Sequence, residues 1–70
     1  MLIRTQDMNE IIDAVHVYHS FKEILGYSIK GEAGQLLGKY NSNEEAIQVL
    51  DALEDWLNNG NRGVFRMPLY

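Results

Sequence analysis

His16 and His19 are the only imidazoles in a chain of 70 residues that has no cysteine. Three positions apart, they share one face if their segment is a helix, where a divalent cation could bridge them. They point to opposite faces if it is a strand. A working metal site also needs a third ligand, and thiolates are absent. Surface or interface histidines are the reading these residues favour, and no metal or cofactor is expected. Glu44, Glu45, Asp51, Glu54 and Asp55 crowd another stretch. Carboxylates so placed either complete the solvated side of an amphipathic helix or offer a partner a negative field that imitates nucleic acid. Glu44, Asp51, Glu54 and Asp55 are the candidate partner-binding set. The one local basic feature is Arg62 between Asn61 and Gly63, with Gly60 before it and Arg66 after. Two guanidiniums can grip a phosphate bidentately, and Arg4 joins them if the first and last strands are neighbours. Arg4, Arg62 and Arg66 are thus candidate phosphate ligands, and a solvated turn is the plainer alternative.

Trp56, Phe65, Met67, Leu69 and Tyr70 form an apolar, aromatic group towards the C-terminus. It either finishes a small core or makes an oligomer seam along an edge strand. For catalysis nothing assembles. No serine, tyrosine or histidine stands in a nucleophile-and-base motif, and carboxylates on one exposed helix are poorly placed for a raised pKa. Gly31 and Gly34 lack the lysine and helix of a phosphate loop. An enzyme is not expected.

The elements that must position these residues follow from spacing. Ser42 with Glu45 has the form of a capping box. Beyond it Ala46, Ile47, Val49, Leu50, Leu53, Trp56 and Leu57 recur at helical spacing. This predicts a helix over Asn43–Asn58, with Gly60 suited to a left-handed cap. Leu25, Tyr27 and Ile29 alternate with Gly26, Ser28 and Lys30, as in a half-buried strand. A second strand over Leu36–Tyr40 forms a hairpin with it around Gly31 to Gly34. Val64–Met67 reads as a strand that Pro68 places at an edge. Residues 8–21 fit two patterns. Met8, Ile11, Ile12, Val15 and Tyr18 keep helical spacing, whereas the β-branched and aromatic content of Ile11 to Phe21 suits a strand.

Size and charge bound the rest. Seventy residues make one domain, 1–70. A chain this short buries only about 60% of its unfolded surface, and without disulfides the expected compensation is oligomerisation. Ten acids against six bases give a net charge of −4, which opposes non-specific binding to nucleic acid or anionic membranes. No apolar run approaches the length of a membrane span, and the first seven residues lack the apolar stretch of a signal peptide. A cytosolic domain is expected.

Several short motifs carry a resemblance. They are Ile3-Arg4-Thr5-Gln6-Asp7, the Ile11-Ile12 pair, Leu37-Gly38-Lys39-Tyr40, Ser42 with Glu44-Glu45-Ala46, Val49-Leu50, and Val64-Phe65-Arg66-Met67-Pro68. Together they resemble a loose group of small phage and prophage proteins of Gram-positive bacteria, along the chain from Ile3 to Pro68. Thr5 stands where that pattern has serine, and Ser42 where threonine is common; both keep the hydroxyl. The resemblance implies a meander of N-terminal strands, a helix across it and a closing strand, which makes residues 8–21 strand. The expected fold is therefore α+β, a small antiparallel sheet of about four to five strands covered on one face by a single helix in the C-terminal half. It also implies a bacterial cytoplasm and, by analogy alone, counter-defence. The expected function is non-enzymatic inhibition of a host protein by contact, with the chain associating with itself. An oligomeric binder of a nucleotide signal is the alternative, and a structural or assembly role a weaker one.

Overall fold

The computed structural model describes residues 1–28, 34–60 and 62–69. Of the turn expected at Gly31 to Gly34, residues 31–33 lie outside the described residues, as do Ile29, Lys30, Asn61 and Tyr70. Five strands and one helix follow in the order β1 (Leu2–Arg4), β2 (Ile11–Ser20), β3 (Glu23–Ser28), β4 (Gln35–Lys39), α1 (Asn43–Asn58) and β5 (Val64–Arg66). The fold is α+β, with the strands in one sheet ordered β4-β3-β2-β1-β5. Residues 8–21 do not form a helix: ten of them are β2.

The sheet is antiparallel from β1 to β4, as expected, but β5 runs parallel to β1. Simple lengths explain the difference. The 16 residues of α1 make a rod of about 24 Å, and five strands about 4.8 Å apart make a sheet about 19 Å wide. The helix therefore carries the chain across the sheet, from the end of β4 at one edge to the start of β1 at the other. The next strand sets off alongside β1 and in its direction.

Helix α1 begins as its sequence dictates. Ser42 is extended, and its hydroxyl accepts from the Glu45 amide at 3.1 Å. Glu45 reaches back one residue further than a capping box requires, accepting from the Asn41 amide at 2.9 Å. Beyond the C-cap Asn59, Gly60 takes φ +68°. Ala46, Val49 and Leu53 are buried against Ile3, Ile12, Ala14, Ile24, Leu37, Tyr40, Phe65 and Met67 of the sheet and its flanking segments. Ile47 and Leu57, expected on the buried stripe, are exposed instead.

Two bulges shape the sheet. Val15 is an extra residue between the Ala14–Ser28 and His16–Tyr27 pairs, so the buried side of β2 reads Ile12, Ala14 and then Val17. A second irregularity lies between Ile24 and Leu25 opposite β4. Bulges raise the local twist and bend a strand. The curled sheet brings the β1–β2 loop onto β4, where the Gln6 amide donates to the Leu37 carbonyl at 2.8 Å. No helix among the described residues is long and apolar enough to cross a membrane.

Candidate functional site

Gln6 is the junction of the curled sheet. Besides its amide bond to Leu37, its side-chain Oε1 accepts from the Lys39 amide at 2.7 Å, and its Nε2 donates to the Pro68 carbonyl at 3.3 Å. One residue thus occupies alternate backbone groups along the β4 edge, as a pairing strand would, and ties the C-terminal segment to it. The Tyr40 hydroxyl donates to the same Pro68 carbonyl at 3.0 Å, and its ring lies where Gly38 has no side chain; a Cβ there would sit 3.0 Å or less from that ring and its hydroxyl. Thr5 is buried. Its hydroxyl accepts from the Glu10 amide and donates to the Asp7 carboxylate at 2.6 Å. That bond, helped by the Asn9 amide, holds the Asp7 carboxyl below its ordinary pKa. A cleft of about 80 Å³ lies between this loop and β4, lined by Thr5, Gln6, Asp7 and Leu36 to Lys39. No arginine lines it.

Among the described residues the opposite side of the sheet carries no second layer. Its single helix is spent on the inner face, and alternation along the strands puts Leu2, Ile11, Val15, Leu25, Leu36 and Val64 outward. Ile11 and Val15 are 54% and 58% exposed. On the same face His16, Tyr18 and Tyr27 make an aromatic cluster, with the Tyr18 and Tyr27 rings stacked at 5.6 Å. The hydrogen bond to Tyr27, then desolvation, raise the Tyr18 phenol above its ordinary pKa. At one end of this face the β2–β3 hairpin closes through Phe21 and Lys22. Phe21 is 82% exposed and takes φ +55°, a conformation that two-residue hairpin loops normally give to Gly, Asn or Asp.

The chain matches no known protein family, no curated protein and no solved structure. What it can do must therefore be read from where its own residues stand. His16 lies on the outer face with Tyr27, while His19 pairs in register with fully buried Ile24 on the inner face; the two imidazoles are not brought together. Glu44, Asp51, Glu54 and Asp55 are all exposed on α1, which has no basic residue in its last turn. Arg4 and Arg66 do meet, as direct register partners across β1 and β5, while Arg62 is an exposed loop residue before β5. The Arg4 guanidinium is partly committed, donating twice to the Met8 carbonyl at 3.0 and 3.2 Å. That bond steadies a residue at φ +67°.

The C-terminal seam residues need the largest revision. Phe65 and Met67 are core, and Trp56 packs edge-on against Phe65 at 5.6 Å. Their side chains complete the protein's own interior, since β5 alternates Val64 out, Phe65 in, Arg66 out. Leu69 is exposed, and Tyr70 lies outside the described residues. Sequence reasoning missed the uncovered face and Phe21. The signal for the face was a count: five strands have two sides, and one helix covers one.

Proposed function

We propose that this chain is a non-enzymatic binding protein that inhibits a host protein by contact, in keeping with the phage proteins it resembles. One observation carries the reading: the uncovered sheet face, with Leu2, Ile11, Val15, Leu36 and Val64 each more than a third exposed. Apolar residues gathered on one exposed side mark interaction surfaces. Phe21, held at the rim in a backbone conformation that disfavours it, adds an aromatic anchor of the kind that dominates contact energies.

The test is capture from a Gram-positive host lysate by the wild-type chain and by the double variant Ile11→Lys, Val15→Lys. Both side chains are more than half exposed; because a lysine at position 11 stands in register with Arg4, the fold of the variant is checked by its circular dichroism spectrum. The wild type is expected to retain a protein that the variant does not. Equal retention by both removes the sheet face from the account.

The nucleotide reading has one observation in its favour, the pairing of Arg4 with Arg66. A nucleotide at 100 times its dissociation constant adds about 2.7 kcal/mol to stability. A thermal-shift series across mono-, di- and cyclic nucleotides supports that reading if one of them stabilises the chain by such an amount. It removes the reading if none does.

A further inference from the structure

The two edges of the sheet are treated differently. At the β4 edge, Gln6 occupies the Leu37 carbonyl and the Lys39 amide, so no strand can add there without displacing it. At the β5 edge no hydrogen bond among the described residues takes the outward backbone groups of Val64 and Arg66, whereas the Pro68 carbonyl beyond them is held by Gln6 and Tyr40. In a parallel ladder, alternate residues of each strand turn their N–H and C=O towards the neighbour. The Met67 amide donates to the Arg4 carbonyl at 3.1 Å, which fixes the phase: Phe65 and Met67 face β1, whereas Val64 and Arg66 direct their backbone groups away from the sheet. Pro68, next in that outward phase, is tolerated there because its missing N–H would have had no ladder partner.

The side chains beside this edge are of one sign. Arg66 stands next to Arg4 on the outer face, a like-charged pair directly across two strands, which is destabilising unless an anion lies against it. Among the described residues the only ion pair joins the Met1 amino group to Asp13, so Arg66 has no carboxylate partner there. In the same register Val64 stands next to Leu2, both exposed. The free edge therefore offers a cation at Arg66 and, two residues away, an aliphatic at Val64.

We propose that β5 accepts an extended acidic segment of the partner protein as a sixth strand, its backbone pairing with Val64 and Arg66. A carboxylate two residues before an aliphatic would then face Arg66 and Val64 in antiparallel register. Strand addition of this kind takes affinity from main-chain bonds and specificity from alternate side chains. A second copy fits less well: pairing β5 with β5 about a two-fold axis gathers the Arg4 and Arg66 guanidiniums of both chains without a counter-charge. The inference rests on the binding function proposed above and names the feature of the partner that the edge recognises.

The probe is a short soluble peptide built around Glu-Thr-Val, a carboxylate two residues before an aliphatic on one strand face, compared with the same peptide carrying lysine for glutamate. Amide hydrogen exchange is read residue by residue on the whole chain. In the free chain Val64 and Arg66 exchange faster than Phe65 and Met67. At about ten times its dissociation constant the glutamate peptide is expected to slow the first pair about tenfold, and the lysine peptide to leave them unchanged. Arg66→Glu, an exposed change, reverses the preference. Failure of the glutamate peptide to protect Val64 and Arg66 in the folded chain overturns the proposal, as does equal protection by both peptides. A lysate partner lost with Ile11→Lys, Val15→Lys but kept with Arg66→Glu would leave the binding function standing and the strand addition refuted.

Discussion

Phe21 is where local chemistry and fold disagree most openly. A left-handed backbone costs a residue with a Cβ roughly 1–2 kcal/mol, and 82% exposure means that its ring gains little from the chain's own packing. Glycine relieves the strain at an entropic cost of about 0.5–1 kcal/mol. Phe21→Gly is therefore expected to raise the melting temperature by about 4 °C, measured by circular dichroism, while weakening capture of the partner. A fall in melting temperature would show that the ring contributes to the fold instead. Tyr18 offers a second residue-scale check. Its pKa is raised by Tyr27, so its stabilising contribution is complete below the unfolded tyrosine value of about 10 and is lost as pH rises through the higher folded value. Absorbance titration of the wild type and of Tyr27→Phe should show the Tyr18 step moving to lower pH in the variant. An unchanged titration in the variant would contradict the pairing.

At the scale of elements, several of the short sequence motifs build the closure of the sheet. Gln6, Gly38, Tyr40 and Pro68 meet at one junction, Thr5 and Asp7 shape the loop that leads to it, and Ser42 with Glu45 caps the helix. Gln6→Ala should cost about 1–2 kcal/mol in a denaturant titration and quicken exchange of the Lys39 amide. No loss of stability would mean that the junction is decorative. This division also explains what was legible beforehand. Helix α1 could be read because its cap and its spacing agree. The ambiguity of residues 8–21 has a structural cause: the bulge at Val15 shifts the phase, so Ile11, Val15 and Tyr18, spaced by four and then three as on a helix, all stand on the outer face of β2. Parallel β5 was hidden because strand patterns carry no direction. Phe65 and Met67 were offered as a seam because apolar residues on an edge strand look alike whether they face inward or outward.

For the whole molecule, the shortage of core in so short a chain is eased by its wrapped sheet, which puts Ile3, Ile24, Leu37 and Val49 almost wholly out of contact with water. What remains uneven is the outside. The helix side is acidic, the sheet side carries apolar and aromatic residues together with Asp13 and Arg4, and the β5 edge is basic. A reading in which the sheet side is the working surface separates it cleanly from the helix, whose own exposed apolar residues, Ile47 and Leu57, serve as internal controls. The most direct measurement is hydroxyl-radical footprinting of side chains in the free chain and in complex with the captured partner. The account predicts protection of Ile11, Val15 and Phe21 in the complex with Ile47 and Leu57 unchanged. Protection of Ile47 and Leu57, with the sheet side as reactive as in the free chain, would contradict it.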